Sequence, residues 1–214
     1  LKNSLMLSIP EAPKSIQKGV PLKNVLGLNS IDYLARNIAH VYPEFNIHKF
    51  KEDAIINLEP LGINERGLHI ARALRKLLPR KYTTAINIIL SSLTPPNVAT
   101  EGLGLAVFFY HPHSYFIAEY GLDKKYNEEE DPFEISLKAQ YELTKRSTSE
   151  FSIRPFIVKY QERTLVKIKE WLSDPDPHVR RLCSEGTRPR LPWAPRIPSF
   201  IKDPTPVLSI LEDF

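Results

Sequence analysis

Two carboxylates and a set of arginines are the residues of this sequence best equipped to act on a charged substrate. Glu119 stands beside Tyr120 at the end of the apolar stretch 103–120. A carboxylate and a ring emerging there can lie against a cationic base or a developing sugar cation, or can be a helix-terminal acid next to a core tyrosine. Glu150 follows Arg146 by four residues and precedes Arg154 by four, a spacing that places all three on one face of a continuous helix. Flanking guanidinium groups keep a carboxylate ionised, the state that positions water or stabilises a cation. The same spacing also describes a plain surface ladder of ion pairs.

The segment SEGTRPRLPWAPR, residues 184–196, is a third feature. Its prolines and glycine prevent a continuous helix, and Arg188, Arg190 and Arg196 are thereby held near one another at low entropy cost, as a phosphate-binding surface requires. Together with Arg180 and Arg181 they face the single acid Glu185 between His178 and Lys202, so positive charge is concentrated there. Trp193 lies within this loop, where an indole can stack on a sugar or meet a cation. Trp171 follows the apolar stripe of a regular helix and reads as core. His111 and His113 have no carboxylate or cysteine at metal-ligand spacing, and no metal or other cofactor is expected.

The elements that must position these groups are helices. Ser30 is expected to cap a helix carrying Ile31, Leu34, Ile38 and Val41, and Asn46 one carrying Phe50, Ala54, Ile55 and Leu58. Further helices are predicted over 64–78, 83–93, 103–120, 132–146, 148–160 and 161–172, separated mostly by some of the 19 prolines. Strand alternation hardly appears. The run Asp174-Pro175-Asp176-Pro177-His178-Val179-Arg180-Arg181 has the turn-then-helix form of a HEAT repeat. The prediction is an all-α, HEAT-like repeat solenoid with a concave basic groove, preceded by an arm over residues 1–20.

Composition narrows the function classes. Lys plus Arg number 29 against 25 Asp plus Glu, a net charge of +4, which permits an anionic partner without requiring one. The lone Cys183 excludes an intrachain disulfide and fits a reducing cytosol. The longest apolar stretch, 103–110, is far below the roughly 20 residues of a spanning helix, so neither membrane nor secretory function is expected.

HVRRLCSEGTRPRLPW at 178–193 resembles the corresponding stretch of AlkC-type DNA glycosylases, as do PLKNVLGL at 21–28, AEYGLD at 118–123 and ELTKRSTSEFSIRPF at 142–156. The resemblance runs from Pro21 to Phe214. It implies a HEAT-like fold around duplex DNA and hydrolytic removal of bases made cationic by alkylation, such as 3-methyladenine or 3-methylcytosine, without enclosing a flipped base. By that resemblance Glu119, Glu150 and Trp193 are the candidate catalytic residues and Tyr120 a lesion contact. Arg146, Arg154, Arg180, Arg181, Arg188, Arg190 and Arg196 are the expected DNA contacts, in a chain acting as a monomer. Two departures stand out: the family continues past Phe214 with further helices, and the acidic run around 127–131 is longer than its norm. A noncatalytic scaffold that binds damaged DNA or a protein partner is the alternative.

Overall fold

In the computed structural model, residues 7–128 and 130–213 are described, so the first six residues of the expected arm and the terminal Phe214 lie outside them. The helices are α1 (Leu28–Val41), α2 (Ile47–Ile55), α3 (Ile63–Leu77), α4 (Tyr82–Ser91), α5 (His111–Tyr120), α6 (Phe133–Thr144), α7 (Arg154–Lys159), α8 (Gln161–Trp171), α9 (Pro177–Gly186), α10 (Pro198–Lys202) and α11 (Thr205–Glu212). Short 3-10 turns cover Leu22–Leu26, Gly104–Tyr110 and Lys124–Tyr126. No strand occurs among the described residues. Packing runs mainly between elements close in sequence, α1 on α2, α2 on α3, α3 on α5, α5 on α6, α8 on α9 and α9 on α11, the quasi-linear pattern of a helical repeat.

Local chemistry accounts for most helix starts. The Asn46 side chain accepts a hydrogen bond from the Lys49 amide at 2.9 Å, and Asp176 accepts one from the His178 amide at 2.8 Å, each satisfying an otherwise orphaned donor of the first turn. Ser30 is not a cap. Gly27 holds that position, and the buried Ser30 hydroxyl donates to the Val25 carbonyl from inside the first turn of α1. In α9 Val179 is fully buried, with Leu182 and Cys183 beside it. The Cys183 thiol lies 3.4 Å from the carbonyls of Ile168 and Val179, and burial pushes its pKa up to about 12.

Two predicted helices divide. The stretch 103–120 becomes a 3-10 turn followed by α5, with Gly104 at φ 64° and Pro112 in the first turn of α5. The stretch 148–160 is helical only from Arg154. Pro155 explains the second break, because within a continuous helix its ring would collide with the preceding turn, whereas the first turn of a new helix tolerates it. The short α10 was not anticipated. It is likewise opened by a proline, Pro198.

The described part of the arm lies on the helices. Asn37 grips the Ser8 backbone through both its amide oxygen and nitrogen, at 3.3 and 2.8 Å, and the Leu105 amide donates to the Pro13 carbonyl at 2.9 Å. This 3-10 segment and α5 themselves supply an aromatic core of Phe109, Tyr110 and Phe116 that also buries His111 and His113. Neither histidine Nδ1 has a hydrogen-bond partner among the described residues. Burial lowers the two imidazole pKa values from 6.5 to about 4 and about 3. The folded pKa values lie below the unfolded one, so the unfolded chain takes up protons first as pH falls. Their contribution is therefore complete above about pH 6.5 and diminishes below it, by at most about 1.4 kcal/mol per pH unit for each group. Urea unfolding at about pH 7, 6 and 5 is expected to show falling stability, with a shallower fall in His113→Leu. Equal slopes in variant and parent would contradict this account.

Candidate functional site

Arg154 begins α7 with its side chain fully buried. The guanidinium reaches into the basic loop and donates to four backbone carbonyls: Nη1 to Gly186 at 3.2 Å and Arg188 at 2.8 Å, Nη2 to Pro189 at 3.2 Å, and Nε to Pro195. Burial, and behind it the Arg188 charge, holds its pKa below the usual guanidinium value. Only a planar fork of five donors can satisfy so many acceptors from one side chain. Arg154 is thus not the expected DNA contact, because its donors are turned inward to shape the loop. Arg146 is buried as well, with its Nε on the Thr94 carbonyl and its Nη1 on the Glu142 carbonyl and, at 3.2 Å, the Glu142 carboxylate. It fastens the segment before the 3-10 turn and at the same time borders a cleft that Ser147, Thr148 and Arg181 also line.

The break at 148–153 also dissolves the predicted ladder. Glu150 faces neither Arg146 nor Arg154. Its Oε1 forms an ion pair with Arg181 Nη1 of α9 at 2.5 Å, with the carboxylate side chain 12% exposed and the arginine 58%. Arg181 borders a cleft of about 180 Å³ lined also by Thr148, Ser147, Thr100 and His178. The His178 ring Nε2 lies 3.1 Å from the Ala99 carbonyl, tying α9 to the opposite wall. The Glu150 carboxylate is therefore oriented by a cation from a different element, a pairing that helix spacing does not reveal.

Glu119 is more open, at 39% side-chain exposure, and pairs with Arg72 of α3 at 3.1 Å. Tyr120 belongs to the core. Its ring packs edge-on against Phe116 and Tyr126, and the Arg75 guanidinium lies 5.9 Å from its centre. The expected lesion contact is replaced by a packing role.

The remaining predicted residues lie on the loop and the helix before it. Arg180 caps the carbonyls of Asp174 and Pro175 at 2.6 and 3.1 Å, and Arg188 pairs with Glu185 at 2.9 Å. Arg190 and Arg196 are exposed and have no ion-pair partner among the described residues. Trp193 is 66% exposed and sits at φ 63°, a left-handed conformation that costs a bulky residue about 1 kcal/mol or more unless its surroundings impose it. Trp171, by contrast, packs on Tyr141 in the core. No group of three or more potential metal ligands occurs among the described residues. No described helix is long and apolar enough to cross a membrane.

Removing the Arg154 fork leaves four carbonyls without their donor. Arg154→Met is expected to destabilise the chain by about 3 kcal/mol or more, and proteolysis in the native state should begin within 187–196. Arg154→Lys should recover little, since an ammonium lacks the fork. Unchanged melting and an unchanged cleavage pattern would remove this residue from its assigned role.

No family model matches the sequence. The uncharacterized protein YhaZ of Bacillus subtilis is 35% identical over 192 residues, covering 89% of this chain and 49% of that protein. The structure of the Pseudomonas fluorescens alkylpurine DNA glycosylase AlkC bound to DNA containing an abasic site analog superposes with a TM-score of 0.76 at 27% identity, covering 91% of this chain and 50% of that one. The chain spans about half the length of these relatives.

Proposed function

Because the chain is AlkC-like in sequence and in its helical-repeat fold, we propose that it acts as a DNA glycosylase on duplexes carrying cationic alkylated bases such as 3-methyladenine or 3-methylcytosine. The observation that carries this reading is the AlkC likeness across nine tenths of the chain, and the two carboxylates, each paired with an arginine, agree with it.

Alkylation of a ring nitrogen leaves the base positively charged and makes it a good leaving group. The C1′–N bond breaks with its electron pair going to the base, which departs neutral. Water then adds to the oxocarbenium-like C1′ and gives up a proton to a carboxylate or to solvent. Little acid catalysis is needed, so the protein's contribution is charge complementarity and the alignment of water. Glu150, held in place by Arg181, and Glu119, paired with Arg72, are the residues for that work. Arg190, Arg196 and Arg181 face outward and are suited to phosphates. Trp193, projecting from the loop, is suited to the sugar or base. This division leaves the lesion in the stack, approached from the backbone, and the chain working alone without a cofactor.

The exposed arginines also favour a second reading, a noncatalytic binder of damaged DNA. Incubating the protein with methylated duplex distinguishes the two. Release of free N3-methyladenine is expected, with Glu150→Gln lowering the single-turnover rate by about 100-fold or more in a protein whose circular dichroism is unchanged. No release even with protein in excess over DNA would leave only the binder. On either reading, Arg190→Ala and Arg196→Ala should each lower the slope of log affinity against log salt by roughly one. A slope unchanged in both variants would take the loop out of the DNA contact.

A further inference from the structure

We infer that the cleft beyond the C-terminal end of α5 is a second phosphate-binding site for the duplex backbone, and that Glu128 and Glu130 occupy it in the free chain in place of phosphate. The inference rests on the DNA reading above and extends it to a surface that the loop 184–196 does not supply. Arg80 and Lys81 between α3 and α4, Thr83 in the first turn of α4 and Lys125 of the third 3-10 turn line a cleft of about 240 Å³ together with Glu128 and Glu130. The cleft adjoins the segment bearing Glu119, because Asn127 Nδ2 donates to the carbonyl of Tyr120, the residue after Glu119, at 3.0 Å.

Three cationic side chains thus line the cleft beside two carboxylates. Arg80 Nη2 lies 3.3 Å from Glu128 Oε1 and 3.4 Å from the Lys125 carbonyl, and Lys81 Nζ lies 2.5 Å from Glu130 Oε1. Lys81 and Thr83 together hold the Glu130 carboxyl below the ordinary carboxylate value. Guanidinium, ammonium and hydroxyl donors converging on acidic oxygens are the set that also receives the oxygens of a phosphate. The acids reach these donors from a segment fixed at both ends. Asn127 Nδ2 holds the Asp123 carbonyl at 2.8 Å as well as that of Tyr120, while Asp131 accepts from the Phe133 amide at 3.0 Å and pairs with Arg163 at 2.7 Å. The two pairs between these anchors are open to water, with the Glu128 side chain 67% exposed and that of Glu130 46%. Ion pairs so exposed contribute little and exchange readily.

A cation that meets a DNA phosphate gains by releasing a counterion condensed on the duplex. Here a carboxylate already stands where that phosphate would, and binding must first displace it. The acidic run therefore subtracts from the affinity for duplex of any sequence, damaged or not, and its removal uncovers contacts that the free chain holds in reserve.

Binding of an unmodified duplex by the full chain across a salt series tests this. The doubly altered chain, Glu128→Gln with Glu130→Gln, is expected to bind about 3-fold to 10-fold more tightly at about 0.1 M salt, with a slope of log affinity against log salt steeper by about one to two. Loss of negative charge anywhere would raise affinity to some extent, so Arg80→Ala is placed in both backgrounds, where coupled residues depart from additivity. It should cost less than about 2-fold in the unaltered chain, whose Glu128 already holds the guanidinium, and about 3-fold or more once both acids are neutral. All three side chains are exposed, so melting should not change. An equal cost of Arg80→Ala in both backgrounds overturns the inference, as does an unchanged affinity in the doubly altered chain. Should these expectations be met without release of methylated base, the glycosylase reading falls and the site stands. Base release with equal costs has the reverse meaning, and no affinity for duplex in either background at low salt ends both.

Discussion

A single buried guanidinium determines the shape of the basic loop. The segment after α9 contains too many prolines to form a helix or a ladder, and its carbonyls would otherwise face the protein interior unpaired. Arg154 supplies the missing donors from one rigid plane. The loop contributes little apolar burial of its own, so without Arg154 the segment bearing Arg188, Arg190, Trp193 and Arg196 would have little to hold a single arrangement. The Arg154 charge is stabilised by carbonyl dipoles and has no carboxylate partner among the described residues, so it adds to the positive potential of the region.

The same device recurs along the chain. Arg66 is 3% exposed on its side chain and donates to the carbonyls of Leu61, Lys23, Leu26 and Glu59, closing the turn at 21–27 onto α3. Arg75 holds the Leu78 carbonyl at the end of α3, and Arg146 holds Thr94. Helical repeats stack easily through their apolar stripes, but their connections have no ladder to join. Here those connections are secured by arginines reaching from neighbouring elements. The acidic run after the third 3-10 turn serves the surface instead: Glu128, Glu130 and Asp131 pair with Arg80, Lys81 and Arg163.

Features governed by near neighbours were legible in the sequence. The caps at Asn46 and Asp176, the stripes of α1 and α3 and the inward Val179 all follow from period and residue type. Pro155 also carried the information that 148–160 cannot be one helix, and the spacing of Arg146, Glu150 and Arg154 concealed it. The fates of individual arginines were not legible. Arg154 and Arg190 are the same residue type in proline-flanked settings, and only the tertiary path of the chain turns one inward and leaves the other in solvent. The Glu150 partner is likewise non-local, since Arg181 arrives from α9. The close approach of Tyr115 on α5 to Gly67 of α3 is non-local as well.

Cys183 has a consequence of a different kind. A thiol becomes a strong nucleophile only as thiolate, and the one thiol of this chain is buried, bonded to carbonyls and held protonated far above neutral pH. Soft electrophiles therefore meet the Cys183 sulfur neither exposed nor ionised, and alkylation of the chain at this thiol is slow for as long as α9 stays packed.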